Sequence, residues 1–261
     1  MRLSALITLN DRDISVCDTV FDSVKEQDHD EFVIVFDRTP APLAEYVRRW
    51  WRNDPRTRFV EIAGEPGWRS PVRAWNAGFR ELTGDMVYAF SSETVQRPQN
   101  IEHARALLTT EPRTLIFGKA ECSCGPYGQE VNWNGTAPGN LLCDSEHPRP
   151  LGFIWAGPLD SVRRIGGYDE EFAEGFWFDD NSFFYELWSD GLDFAFDDSI
   201  SGIHLHHERP GLATPAGQAG IRRNAAYILA KHRTPDPLGG IVKRVEYGPG
   251  RCIWRHAVDP R

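Results

Sequence analysis

Apolar runs that suit buried strands alternate with amphipathic segments that suit helices through the first third of this chain. The strand-like runs cover residues 3–9, 31–36, 58–62 and 86–90, and the helix-like segments cover residues 18–27, 42–51 and 71–82. Strands that are joined through helices by short links pair in parallel, with helices on both faces of the sheet. The pattern therefore predicts an α/β domain with a central, mostly parallel sheet flanked by helices.

Polar residues follow three of these predicted strands at their carboxyl ends. Asn10 follows the first strand, Asp37 follows the second, and Ser91, Ser92 and Glu93 follow the fourth. In open parallel sheets, ligands bind in the crevice beyond the carboxyl ends of the strands. We therefore expect a ligand site at this edge of the sheet.

The rest of the chain is less regular. It predicts helices at 101–108, 160–165, 180–189 and 215–232, and strands at 114–118, 194–196 and 200–204. Residues 121–150 contain many Gly and Pro residues and little periodicity, which indicates a long irregular excursion. We expect one domain over residues 1–232, with residues 233–261 as a C-terminal extension without a strong pattern.

Composition excludes several classes of protein. The net charge of −9 over 261 residues argues against nucleic-acid binding, which needs clustered Lys and Arg. No apolar run approaches the roughly 18 residues of a membrane-spanning helix, so no transmembrane segment is expected. The 5 Cys residues are an odd number and are spread along the chain, so we expect a reducing, cytoplasmic setting without a disulfide framework.

A pair of adjacent carboxylates, Asp179 and Asp180, stands where a helix is predicted to begin. Adjacent helical residues point about 100° apart, so only one of the two can face a bound substrate. The helix dipole and free amides at a helix N-terminus favour the ionised form of a carboxyl group, as a general base requires. Asp180 is the better candidate for a base, and Asp179 is the better candidate for a helix cap.

Several segments in order resemble family 2 glycosyltransferases of the GT-A fold. The resemblance covers roughly residues 1–232, and the segments are FVIVFD at 32–37, AWNAGF at 74–79, TGDMVYAF at 83–90, GGYDEEF at 166–172, the acid pair at 179–180, and Asn224, Tyr227 and Lys231. The resemblance implies a Rossmann-like GT-A domain. It also implies transfer of a sugar from a nucleoside diphosphate sugar, with a UDP-linked donor favoured, to an acceptor hydroxyl with inversion.

The resemblance also implies roles for individual residues. Asp180 corresponds to the catalytic base, with Asp179 beside it. The donor would contact Thr8, Asn10, Asp37, Asn76, Ser91 and Ser92. The acceptor would contact Gly167 and Tyr168, and Trp155 is a candidate sugar-stacking platform, as is Trp133. A divalent cation, Mn²⁺ or Mg²⁺, would bind at Glu93, where the family has the last Asp of an Asp-x-Asp motif.

The metal motif departs from the family at Ser91, because a serine cannot supply the charge of the usual Asp. Two histidines could compensate. His204 and His206 alternate along a predicted strand and therefore share one face, and either could be a metal ligand, while His207 would point away.

Three alternatives remain open at this stage. Cys122, Cys124, Cys143 and His147 could form a zinc site around the excursion, although their spacing is not a strong zinc pattern. A nucleotidyltransferase would share the predicted sheet, but it needs basic residues at the first turn, where only Arg12 stands. A binding module that has lost catalysis would fit the missing Asp at Ser91.

Overall fold

The computed structural model describes residues 1–64, 70–123, 139–205, 207 and 210–257, and within them the chain forms one mixed sheet with helices on both faces. The strands are β1 (Leu3–Leu9), β2 (Glu31–Asp37), β3 (Thr57–Ile62), β4 (Met86–Phe90), β5 (Thr94–Gln96), β6 (Thr114–Ser123), β7 (Gly139–Cys143), β8 (Ile154–Pro158), β9 (Asp193–His204), β10 (Lys243–Gly248) and β11 (Arg251–His256). The α-helices are α1 (Ile14–Lys25), α2 (Ala41–Trp51), α3 (Val72–Glu81), α4 (Asn100–Thr110), α5 (Leu159–Arg164), α6 (Asp179–Ser189) and α7 (Pro215–His232).

The sheet follows the order β10-β11-β9-β6-β8-β4-β1-β2-β3, with β5 paired to β9 and β7 paired to β6. The four strands β4-β1-β2-β3 are parallel, as the alternating pattern predicts. β8 lies antiparallel between β4 and β6, whereas β6 and β9 are parallel. The predicted α/β sheet flanked by helices is confirmed, and its second half mixes both strand directions.

Strand alternation divides the core into two layers. Leu3, Ala5 and Ile7 of β1 pack on one face with apolar residues of α1, α2 and α4. Leu6 of the same strand packs on the other face with apolar residues of α3, α5, α6 and α7. Because successive strand residues point to opposite faces and both faces are covered, β1, β2 and β4 are apolar at most positions and fully buried, whereas β3 at the edge of the sheet is only partly buried.

Local signals explain where two helices begin. α1 starts at Ile14, earlier than the predicted residue 18, because the side chain of Asp13 accepts a hydrogen bond from the backbone of Ser15. α7 starts after Thr214, whose hydroxyl accepts from the backbone N–H of Gly217, and Pro215 occupies the first turn.

Within the described part of the chain, no helix is both long and apolar enough to cross a membrane.

The structure corrects the predictions for the less regular segments. The predicted strands 194–196 and 200–204 are one continuous strand, β9, whose pairing with β6 shifts register after Asp197 and resumes at Ser201. Within the predicted excursion at 121–150, residues 121–123 belong to β6 and residues 139–143 form β7, which pairs with β6, and residues 124–138 lie outside the described part. The predicted extension contains the hairpin β10–β11, which pairs with β9, so residue 232 is not a boundary of the sheet.

Candidate active site

The carboxyl ends of β1, β2 and β4 border a cleft with a cavity of about 460 Å³. Its lining also includes residues from the start of α3, the segment before β8, the loop before α6, the start of α6 and the end of β9. Among the residues predicted from sequence, the lining contains Thr8, Asn10, Asp37, Ser91, Ser92, Glu93, Tyr168, Asp179, Asp180 and His204. The cavity therefore lies at the edge of the sheet where the sequence predicts a ligand site.

Asp37 ends β2 and is held by its neighbour Arg38. Nε of Arg38 donates to Oδ1 of Asp37 at 2.9 Å, and Nη2 donates to Oδ2 at 3.1 Å. Such two-point contacts between guanidinium and carboxylate fix the orientation of both groups. The carboxylate of Asp37 is therefore fixed at the wall of the cavity.

Three potential metal ligands meet in the lining of this cleft. One ligand atom each of Glu93, His204 and His207 lies within 4.8 Å of the other two. β5 pairs antiparallel with β9 so that Thr94 lies opposite His204, and the backbone N–H of Leu205 donates to the carbonyl of Glu93 at 2.7 Å. This strand pairing brings together residues that are more than a hundred positions apart in the sequence.

His207 was expected to point away, and this expectation is wrong. Its Nε2 lies 3.7 Å from Oε1 of Glu93, and its ring centroid lies 5.4 Å from that of His204. Strand alternation does not apply at this point because β9 ends at His204. The predicted ligand His206 lies outside the described residues, so its role stays a prediction.

Arg12, in the turn after β1, contacts the carboxylate of Glu93 through Nε and Nη2. Burial, the largest single effect, acts to raise the pKa of Glu93, but the charges of Arg12, His207 and His204 and the hydrogen bond from Arg12 together outweigh it. The pKa of Glu93 therefore lies below its usual range, and the residue is a carboxylate at neutral pH. The sequence gives no sign that Arg12, a single arginine in a turn, would contact Glu93.

The cluster of Glu93, His204 and His207 fits a divalent cation by its donor atoms. Carboxylate oxygen suits Mg²⁺ and Mn²⁺, whereas imidazole nitrogen suits transition metals. A set of one carboxylate and two imidazoles therefore favours Mn²⁺ over Mg²⁺. Ser91 does not add a charge, and its hydroxyl shares a hydrogen bond of 2.6 Å with the hydroxyl of Thr94.

Asp179 and Asp180 open helix α6 and border the cavity with different partners. Ser70 donates its hydroxyl to Oδ2 of Asp179 at 2.5 Å. Asp180 accepts from the hydroxyl of Tyr168 at 3.0 Å and from the backbone N–H of Gly152 at 3.2 Å. Burial and the charge of Asp179 raise the pKa of Asp180 to about 7, despite these two hydrogen bonds. Burial also raises the pKa of Asp179.

Asn76 and Gly167 shape the turn before Tyr168, and neither borders the cavity. Nδ2 of Asn76 donates to the carbonyl of Tyr168, and Oδ1 accepts from the N–H of Tyr168, both at 2.8 Å. Gly167 has a φ of 80°, and a Cβ there would lie 2.3 Å from Oδ1 of Asn76. Both residues therefore position Tyr168, and the predicted contacts of Asn76 with a donor and of Gly167 with an acceptor stay predictions.

Trp155, the predicted stacking platform, lies in the core rather than at the cavity. Its side chain is 1% exposed, and its ring packs against Phe79 and Phe183 in the core, with centroid distances of 6.0 and 5.6 Å. A ring that is buried in this way offers no face to a sugar. Trp133, the other predicted stacking platform, lies outside the described residues.

Trp177 is an exposed aromatic residue in the cavity wall that sequence reasoning missed. It is 52% exposed, and it has a φ of 65°, followed by 67° at Phe178. Bulky residues rarely adopt this left-handed conformation, which is retained where surrounding contacts enforce it. Here Nδ2 of the buried Asn224 donates to the carbonyls of Phe172 and Trp177 at 3.1 and 3.2 Å. The sequence signal that could have identified Trp177 as a site residue is its place as an aromatic residue two positions before the acid pair.

The zinc alternative gains no support from its three described residues. The thiol of Cys143 is buried and contacts the carbonyl of Gly118, while the ring of His147 contacts Asp144 at 3.2 Å. Cys122 contacts the carbonyl of its neighbour Ser123. Because Cys124 lies outside the described residues, a zinc site stays a prediction.

No family model matches this sequence, and no curated protein matches it. Solved structures are similar in fold. S. aureus TarS 1–349 in complex with UDP-GlcNAc has a TM-score of 0.63 at 14% identity, over 88% of this chain and 67% of that chain. GalNAc-T7 with UDP, GalNAc and Mn²⁺ has a TM-score of 0.62 at 12% identity, over 86% of this chain and 47% of that chain.

A third similar structure is the mannosyltransferase PcManGT from Pyrobaculum calidifontis in complex with GDP-Man and Mn²⁺. Its TM-score is 0.59 at 15% identity, over 90% of this chain and 66% of that chain. The chain thus spans two thirds or less of the length of most of these proteins. At such low identity the similarity is one of fold, and by its fold this chain is a GT-A protein.

Proposed function

We propose that this protein is a glycosyltransferase that moves a sugar from a nucleoside diphosphate sugar to an acceptor hydroxyl, with inversion at the anomeric carbon. The observation that carries the proposal is one cavity lined both by the cluster of Glu93, His204 and His207 and by the pair of Asp179 and Asp180. The cluster suits a cation that binds a diphosphate, and the acid pair suits proton abstraction. The GT-A proteins with bound UDP-GlcNAc and GDP-Man support this donor class.

Glu93, His204 and His207 would hold the divalent cation, for which their donor atoms favour Mn²⁺ over Mg²⁺. The Mn²⁺ in the GalNAc-T7 and PcManGT structures supports the same assignment. When bound, the cation would neutralise the negative charge that develops on the leaving diphosphate.

Thr8, Asn10, Asp37, Ser91 and Ser92 would bind the donor, since all of them border the cavity at the ends of the parallel strands. The fixed carboxylate of Asp37 would accept a hydrogen bond from an N–H of the base. UDP-linked sugars are the first candidates for the donor, and GDP-linked sugars are the second.

Asp180 would act as the general base in the transfer. The acceptor oxygen attacks the anomeric carbon from the face opposite the diphosphate, the bond from that carbon to the diphosphate oxygen breaks, and the hydroxyl proton passes to Asp180. A pKa of about 7 suits this task, because a base works best when its pKa lies near the working pH. Tyr168 and the N–H of Gly152 hold its two oxygens in place for this step.

The acceptor would approach between Tyr168 and Trp177, which both line the cavity beside the acid pair. An exposed indole ring suits the apolar face of a sugar, so a carbohydrate acceptor is the first candidate. A cytoplasmic setting, expected from the odd number of cysteines, stays part of this proposal.

Nucleotide binding measured by calorimetry tests the proposal. UDP, GDP and dTDP are titrated into the protein with Mn²⁺, with Mg²⁺ and without metal. We expect one of the three to bind with a dissociation constant that is at least about tenfold lower with Mn²⁺. The matched control Glu93→Gln should keep only the metal-independent affinity. Failure of all three nucleotides to bind, or binding that metal does not change in either protein, would reject the proposed donor site.

A further inference from the structure

Arg12 occupies an unusual position, because it is a cation that contacts the acidic member of a potential cation site. Its guanidinium contacts Oε1 of Glu93 through both Nε and Nη2. The same oxygen lies 3.7 Å from Nε2 of His207. A divalent cation bound by Glu93 and His207 would therefore compete with the guanidinium of Arg12 for this oxygen.

A buried carboxylate needs a partner of opposite charge, and Glu93 has a side chain that is only 6% exposed. Arg12 fills that need without metal. A bound Mn²⁺ would fill it instead, and two cations side by side on one carboxylate repel each other. The metal and Arg12 are thus alternative partners of Glu93.

Arg12 has both the freedom and the chemistry to take another partner. It lies in the turn between β1 and α1, its side chain is 27% exposed, and its Nη1 donates to the carbonyl of the adjacent Asp11 at 2.8 Å. It borders the cavity together with Thr8 and Asn10. A guanidinium presents a planar set of donors that matches two oxygens of a phosphate group.

We propose that Arg12 is a built-in counter-ion that Glu93 exchanges for the metal, and that the released guanidinium then binds the diphosphate of the donor. This inference rests on the proposed donor and metal site. It makes the binding of metal and nucleotide mutually dependent: metal frees Arg12 for the diphosphate, and the diphosphate draws Arg12 away from the metal position. Such a coupling acts equally in both directions.

The competing explanation is a fixed ion pair that only holds Glu93 in position. The two explanations predict opposite effects of removing Arg12 on metal binding. If Arg12 competes with the metal, its removal strengthens the binding of Mn²⁺ alone. If Arg12 only supports Glu93, its removal leaves the affinity unchanged or weakens it.

The test is a calorimetric titration of Mn²⁺ alone into the wild type, Arg12→Gln, Arg12→Lys and Arg38→Gln, each shown to be folded by its melting curve. We expect Arg12→Gln to bind Mn²⁺ about tenfold more tightly than the wild type, within the usual range of coupling between sites. Arg12→Lys keeps the competing charge and should stay near the wild type. Arg38→Gln removes an equal charge from beside the cleft, where Arg38 pairs with Asp37, and should also stay near the wild type.

A second titration adds UDP, or the nucleotide that binds best, with and without Mn²⁺. The factor by which Mn²⁺ strengthens nucleotide binding should fall about tenfold in Arg12→Gln relative to the wild type. Mn²⁺ that binds the wild type and Arg12→Gln equally, but not Glu93→Gln, would overturn the role of Arg12 and leave the proposed metal site intact. Absence of Mn²⁺ binding to the wild type and Arg12→Gln would overturn both.

Discussion

The hydroxyl of Tyr168 donates a 3.0 Å hydrogen bond to Asp180, and the tyrosine ring stacks on Phe183, which lies one helical turn beyond Asp180. The ring centroids are 3.9 Å apart at an interplanar angle of 11°. Burial, followed by the charges of the two aspartates, holds the pKa of Tyr168 well above its usual value, so that the hydroxyl keeps its proton and donates it. The bond therefore directs Asp180 and also stabilises its ionised form.

Removing the hydroxyl of Tyr168 should shift the pH dependence of turnover. In the wild type, the rate should rise with pH through about 7, the pKa of Asp180, because a general base must be deprotonated. The hydrogen bond from Tyr168 lowers this pKa, so in Tyr168→Phe the rise should occur at a higher pH. Rates measured from pH 5.5 to 9 would show the shift. Superimposable profiles would contradict the proposed contact of Tyr168 with the base.

Asp180→Asn should make the protein more stable at pH 8. The pKa of Asp180 is about 7 in the folded protein against a usual 3.8, so the folded state holds more protons between these values. The stability that this proton contributes is complete below pH 3.8 and is lost as the pH rises through about 7. Asparagine has no such charge, so its melting temperature should exceed that of the wild type by roughly 2–5 °C at pH 8.

The advantage of Asp180→Asn should shrink as the pH is lowered toward 4, because the wild-type carboxyl group is then protonated. Melting curves at pH 8, 6 and 4.5 would measure the trend. A variant that is less stable than the wild type at pH 8 would mean that burial does not disfavour the charge of Asp180.

His207→Ala should weaken Mn²⁺ binding by about tenfold or more, as the loss of one of three ligands implies, while nucleotide binding without metal stays the same. His147→Ala is the matched control, because this exposed histidine also contacts a carboxylate, Asp144, but lies outside the cleft lining. Mn²⁺ affinity of the wild type should fall below about pH 6.5, where an imidazole becomes protonated. Equal Mn²⁺ affinity in both variants would remove His207 from the metal site.

Asn224→Ala should destabilise the protein by roughly 1–3 kcal/mol, because the carbonyls of Phe172 and Trp177 lose their buried donor. The fluorescence of Trp177 should also change, since this bond holds the loop before α6. Gln218→Ala on the same helix is the control: Gln218 also donates to a carbonyl, that of Leu212, but it is exposed, so water can replace it. Equal effects of the two substitutions on the melting temperature would contradict this role of Asn224.

The sequence predicts the features that depend on local pattern. Buried strands, helices and the polar residues at strand ends follow from the spacing of apolar side chains, so Asp37 and Glu93 could be assigned to one edge of the sheet. The acid pair could be assigned to a helix start for the same reason. Each of these inferences uses residues that are close together in the chain.

Contacts between distant segments could not be predicted. His207 meets Glu93 because β5 pairs with β9 and β9 ends at His204, and neither fact is visible in the run His204 to His207. As an aromatic residue, Trp155 could serve as a stacking platform. However, β8 lies between β4 and β6, where both faces of the sheet are covered. The hairpin β10–β11 was missed because charged residues interrupt its apolar alternation.

The central claim is that this cleft breaks the bond between a sugar and a nucleoside diphosphate, with Asp180 as the base. The most direct measurement is the release of UDP or GDP from UDP- and GDP-linked sugars by the wild type and Asp180→Asn, with and without Mn²⁺. We predict that the wild type releases one nucleotide in a Mn²⁺-dependent reaction, and that Asp180→Asn binds the same donor but releases the nucleotide about 10²–10⁴-fold more slowly. A donor that binds both proteins while neither releases nucleotide, or release at equal rates by the two, would contradict the claim.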